Sequence, residues 1–145
     1  MAGEQKVFSP GFDRLSIRFR GWNLAMVICY DIRFPAWCRN VLNQYDALIA
    51  VANWPQVRVD AWNKLLVARA IENEAYVLGV DCRGTDTGGF VYDGSSAVID
   101  YKGRTVADKS SDDSPFIYAS LDMDALLRFR AKFPAWQDAD NFRLL

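Results

Sequence analysis

An α/β fold is predicted from three features of the 145-residue chain. First, the runs 24–28, 47–52 and 76–80 are almost wholly apolar, as expected of strands buried on both faces of a sheet. Second, these runs alternate with segments of helical periodicity at 36–43 and 59–75. Third, a strand–helix–strand order implies parallel pairing through right-handed crossovers. The length allows one domain with a real hydrophobic core.

In chain order, residues 1–11 contain Gly3, Pro10 and Gly11 and read as a loop. Residues 12–20 alternate, with Leu15, Ile17 and Phe19 on one face and Arg14, Ser16 and Arg18 on the other. That pattern predicts a half-exposed strand, turned by Gly21 into a hairpin with the strand that ends at Cys29. A short helix of about two turns is expected after Pro35. The second buried strand ends at Ala52, and Asn53-Trp54-Pro55 follows it at once. In an open sheet the carboxyl ends of parallel strands form the ligand crevice, so this loop is expected beside Cys29.

The longest helical pattern, 59–75, aligns Val59, Trp62, Leu66 and Ala70 on one face, with Arg69, Glu72 and Asn73 read as a solvated face or local ion pairs. A third buried strand, Tyr76 to Asp81, leads into the glycine-rich stretch 83–95, expected as a flexible loop. Its glycines fit neither Walker nor G-x-G-x-x-G spacing, so a phosphate cradle is unsupported. The segments 96–100 and 105–108 flank a hairpin turn, and Phe116 to Leu121 reads as a last strand. Asp122 is placed to cap a helix from Met123 onward. The tail 133–145 is irregular and rich in apolar residues, which suggests that it docks, for example on another subunit.

The net charge of −1 and the absence of a basic block argue against nucleic acid and anionic membranes as partners. No run reaches bilayer length and no signal-peptide pattern begins the chain, so a cytoplasmic location is expected. The three cysteines, Cys29, Cys38 and Cys82, form neither a C-x-x-C pair nor a disulfide framework. The chain has no histidine. A Cys-His pair and an imidazole-based zinc site are therefore excluded within it.

Cys29 stands at the carboxyl end of a buried strand, ahead of a turn and a helix start whose free N–H groups favour thiolate. It is the candidate nucleophile; the plain alternative is a small buried hydrophobe. If it attacks, its proton must pass to a carboxylate, a lysine or water.

The motif Cys29-Tyr30-Asp31-Ile32-Arg33-Phe34-Pro35 resembles the nucleophile motif of the nitrilase superfamily, the carbon–nitrogen hydrolases. Ala68-Arg69-Ala70-Ile71-Glu72-Asn73 resembles that family's helix motif. Gly94-Ser95-Ser96, Val98-Ile99-Asp100 and Phe133-Pro134-Ala135-Trp136-Gln137-Asp138 are similar to its C-terminal signatures. Val51-Ala52-Asn53-Trp54-Pro55 is most similar to the ω-amidase branch.

The resemblance implies an α-β-β-α sandwich, of which residues 1–145 are a single, N-terminally truncated, C-terminal part. It implies homodimers, no metal and no organic cofactor. It also implies a Glu-Lys-Cys triad in which Cys29 matches the cysteine and the Tyr30 backbone N–H joins the oxyanion hole. Glu4 aligns with the family's accessory glutamate. No residue here matches the triad glutamate or lysine. The expected substrate is a small-molecule amide, a 2-oxo dicarboxylate monoamide, hydrolysed through a thioester with release of ammonia. Asn53 and Trp54 are expected in the pocket wall, with a core role for Trp54 as the alternative. Arg33 and Arg69 are candidates either for a substrate carboxylate or for scaffold ion pairs. The alternative function is a catalytically inactive fragment or interaction module of the same fold.

Overall fold

The computed structural model describes residues 3, 6–109 and 114–140. Among these residues the centre is a six-stranded mixed sheet in the order Leu15–Phe19 (β1), Trp22–Ile28 (β2), Ala47–Ala52 (β3), Tyr76–Asp81 (β4), Ala97–Ile99 (β7) and Thr105–Asp108 (β8). Strands β2, β3 and β4 are parallel neighbours. β1 pairs with β2 as the expected hairpin, and β7 and β8 form the other antiparallel edge.

Among the described residues, three helices accompany the sheet. α1 (Pro35–Cys38) and α2 (Val59–Asn73) follow β2 and β3, and α3 (Met123–Lys132) follows the last strand. Trp62, Leu66 and Ala70 of α2 are fully buried on the side of the sheet that carries Val27, Leu48, Ala50, Val77 and Ile99. Gly79 permits this approach, because a Cβ there would lie 2.5 Å from Leu66 Cδ1 and 3.0 Å from Trp62 Cζ2. On the opposite face Leu126 of α3 packs with Ala47, Tyr76 and Tyr101. Asp122 caps α3 as expected, accepting from the Ala125 N–H at 2.8 Å.

Several expectations are corrected. α1 has only four residues: Arg39 is extended, and Leu42 has φ of 52° within a 3-10 turn at Val41–Asn43. The side chain of Asn40 ends the helix by bonding Tyr45 and Asn73 backbone groups, which are better partners than another helical turn. The glycine-rich stretch holds a small ribbon, β5 (Arg83–Thr85) against β6 (Val91–Asp93). Asp86 makes its turn, accepting from the Gly88 and Phe90 N–H groups. Residues 116–121 form no strand, and Phe116 and Tyr118 are exposed.

The polar positions of α2 are not solvated as a group. Arg69 and Asn73 are buried, although Arg69 does form a local ion pair with Glu72 at 3.0 Å. Of the tail, residues 135–138 form a 3-10 turn, and 141–145 lie outside the described residues, as does Glu4.

The expectation that β2 is buried on both faces also fails. Ile28, Val51 and Val80 sit side by side in register and are 68%, 44% and 49% exposed. With Leu15 and Ile17 of β1 they leave an apolar area on the α3 side that α3 itself does not reach. Among the described residues, no helix is long and apolar enough to cross a membrane.

Candidate active site

The carboxyl ends of β2, β3 and β4 converge on one cleft. β2 ends at Ile28, and Cys29 begins a 3-10 turn, Cys29–Arg33, with φ of 44°. A left-handed non-glycine residue costs about 1–2 kcal/mol, so surrounding contacts must hold it. They do. The Asp31 carboxylate accepts from the Ile28 N–H at 3.0 Å, and the Phe34 N–H donates to the Asp31 carbonyl at 2.9 Å. From α2, Arg69 Nε donates to the Ile32 carbonyl at 2.9 Å. Of the two roles open to Arg69, the structure supports the scaffold.

The loop after β3 closes on the same point, where the topology predicts it. A cleft of about 360 Å³ is lined by Cys29, Tyr30, Arg33, Asn53, Trp54, Pro55 and Arg58. Trp54 belongs to both the core and the wall: it is buried, stacks against Trp62 at 5.2 Å and still borders the cleft. Its indole N–H donates to the Arg58 carbonyl at 2.7 Å. Asn53 is exposed at the mouth.

The sulfur of Cys29 is half-buried, and the backbone N–H groups of Asn53 and Tyr30 both favour its thiolate. Burial is the largest influence and pushes the thiol above its ordinary value of 9.0, opposed by the Asn53 N–H. The Asp81 carboxylate raises it further, the Tyr30 N–H lowers it, and Asp31 raises it. The two N–H groups thus favour the thiolate while burial and two carboxylates oppose it.

Two residues of this site escape a reading of the sequence. Arg58 joins Arg33 at the cleft. Among the described residues neither guanidinium has a carboxylate partner; Arg33 instead lies over the rings of Trp54 and Tyr30. Asp81 ends β4 and is buried beside the loop, accepting from the Trp54 N–H at 2.7 Å. Its only signal in the sequence is a charge closing an otherwise apolar strand.

A larger cavity of about 470 Å³ lies between β1, β2 and α1, with Cys38 and Tyr45 in its wall. Cys38 is nearly inaccessible and burial pushes its thiol up, so it is a poor nucleophile. Among the described residues, no group of three or more histidine, cysteine, aspartate or glutamate side chains could hold a metal ion.

Residues 3–131 match the family described as Carbon-nitrogen hydrolase. The chain is 48% identical to omega-amidase YafV of Escherichia coli over 144 residues, which cover 99% of this chain and 56% of that protein. It is 35% identical to 2-oxoglutaramate amidase of Bacillus subtilis over 136 residues, 93% of this chain and 52% of that one. It superposes with a TM-score of 0.90, at 37% identity, on the crystal structure of a CN-hydrolase superfamily protein from Xanthomonas campestris with an arsenic adduct in the active site. That match covers 98% of this chain and 56% of the other. The chain thus spans about half the length of the curated relatives it matches.

Proposed function

Since this chain belongs to the carbon–nitrogen hydrolase family, we propose that it carries the nucleophile-bearing part of an amidase acting on a 2-oxo dicarboxylate monoamide. One observation carries the substrate class: the cleft beside Cys29 is flanked by two guanidiniums, Arg33 and Arg58, and among the described residues its lining has no acidic side chain. A carboxylate at the far end of a short amide meets complementary charge there. The names of the E. coli and B. subtilis relatives support the same class.

In the proposed reaction Cys29 Sγ bonds to the amide carbon. The C–N bond breaks and ammonia leaves with the proton of the thiol. Water then cleaves the thioester, giving the acid and restoring the thiol. The Tyr30 N–H, which favours the thiolate, serves the oxyanion that develops as the sulfur attacks. Asn53 and Trp54 form the wall, and Glu4 serves as the accessory glutamate. The active protein is a cytoplasmic homodimer needing no cofactor.

The test is ammonia release from such an amide by the 145-residue chain, with Cys29→Ala as control. Release that needs Cys29 supports the reading. No release, with Cys29 still open to alkylation, defeats it for this chain. That result selects the second reading, an inactive module of the same fold, which is favoured by a cleft lining that, among the described residues, has neither lysine nor glutamate.

A further inference from the structure

Asp81 occupies a costly position. It is 6% exposed, and among the described residues its Oδ2 has no hydrogen-bond partner. A carboxylate oxygen left bare in the interior costs more than an amide or hydroxyl at the same place. A neutral acceptor would satisfy the Trp54 N–H without that cost, so the charge calls for another reason.

The backbone around it supplies one. Ala52 and Asp81 are the last paired residues of β3 and β4, and the Cys82 N–H closes the pair on the Ala52 carbonyl at 3.0 Å. Beyond that point the chain leaves the sheet with two successive N–H groups. Asn53 lines the cleft with Cys29, its N–H favouring the thiolate, and the Trp54 N–H donates to Asp81 Oδ1 at 2.7 Å. Asp81 is itself locked: its N–H donates to Ser96 Oγ at 2.9 Å, and the Ser96 hydroxyl donates to its carbonyl at 3.2 Å. A charge-assisted bond of this kind is about twice as strong as a neutral one. It fixes the peptide next to the one that serves the sulfur.

We propose that Asp81 is a positioning residue for Cys29, its carboxylate anchoring the Trp54 N–H and so holding the neighbouring Asn53 N–H on the sulfur. Asp81 then acts on the thiol in two opposed ways. Its charge disfavours the thiolate, and its hydrogen bond secures a donor that favours it. The other charged or titratable groups around the sulfur are Asp31 of its own turn, Arg33 and Arg58 of the cleft, and Cys82 after β4.

The two actions separate by substitution. Asp81→Asn keeps an acceptor oxygen and removes the charge; Asp81→Ala removes both. The readout is the pH midpoint of iodoacetamide alkylation at Cys29, resolved from Cys38 and Cys82 by peptide mass spectrometry. It needs no amide turnover, so this inference and the proposed activity fail independently. The expected result is a midpoint for Asp81→Asn below wild type, and one for Asp81→Ala higher than Asp81→Asn by about half a pH unit or more. Equal midpoints in the two variants would mean that Asp81 acts through charge alone and would overturn the proposal. If Asp81→Ala does not fold by circular dichroism, Asp81→Ser, too short to reach the Trp54 N–H, takes its place with the same expected order.

Discussion

The guanidinium carbon of Arg33 lies 4.7 Å from the centroid of the Trp54 ring. The same indole holds the Arg58 backbone through its N–H, so one buried tryptophan organises both cations of the cleft. Arg33 comes from the turn after β2 and Arg58 from the turn after β3. Stacking leaves the edge of the Arg33 guanidinium available to an anion, an arrangement lysine does not reproduce.

Charge selectivity at Cys29 follows. Iodoacetate and iodoacetamide differ by one negative charge, and a cation about 5 Å away in water is worth about 0.8 kcal/mol, or about fourfold in rate. Arg58→Met is expected to lower the iodoacetate-to-iodoacetamide rate ratio at Cys29 by about two- to fourfold. Because Arg58 is exposed, high salt should remove most of the difference. A ratio unchanged by the substitution would remove Arg58 from substrate recognition.

The parts of this site that the sequence reveals are those with local or topological causes. Cys29 and the Asn53–Pro55 loop meet because parallel strands must end on the same edge, and apolar runs announce those strands. The hairpins, α2 and α3 follow from periodicity, and Asp122 from capping chemistry. What escapes is non-local. Arg69 looks like an exposed helical charge until the Ile32 carbonyl is seen above it. Asp81 and Arg58 acquire meaning only through Trp54, which bonds both. Residues 116–121 form a largely apolar, aromatic-rich run like a strand, but pairing partners, not composition, make one.

Arg130 shows how the far end of the sheet is held. Its Nη1 pairs with Asp46 at 2.9 Å, Nε donates to the Glu74 carbonyl and Nη2 to the Tyr45 carbonyl, each at 2.8 Å. Both charges are buried, so removing one strands the other. Arg130→Met is expected to lower stability by about 3–5 kcal/mol, read from urea unfolding. A loss below about 1 kcal/mol would mean that the pair is solvated like a surface bridge.

Gly79→Ala probes the contact between α2 and β4. The added methyl meets Leu66 and Trp62, both fully buried and without room to retreat. Overpacking of this kind costs about 1–3 kcal/mol. The unfolding midpoint should fall accordingly, while the secondary-structure content by circular dichroism stays unchanged.

Asp81 also gives stability a pH dependence. Burial raises its carboxyl in the folded chain above the ordinary 3.8, with the Trp54 N–H opposing. The folded state therefore binds the proton more tightly than the unfolded state. Stability from this group is fully present below the ordinary value and is lost as pH rises through the raised one. Asp81→Asn has no such dependence. Wild-type stability minus that of the variant should decline from pH 4 upward and level off above the raised value. A difference that grows with pH would reverse the sign and show that the carboxylate is stabilised when ionised.

The row Ile28–Val51–Val80 leaves three apolar side chains on adjacent strands facing solvent. A sheet face of this kind is ordinarily covered by a second layer about 10 Å away. The chain spans about half the length of its relatives, and this face is the one on which α3 covers only one end. The exposed row should therefore drive association when the chain is alone in solution. Val51→Lys is expected to change folding stability by less than about 0.5 kcal/mol, because the side chain already contacts water. It should also reduce dye binding to apolar surface and lower the sedimentation coefficient of any assemblies. If instead Val51→Lys unfolds the chain, the row is packed in solution. If association is unaffected, contacts elsewhere on the surface hold the copies together.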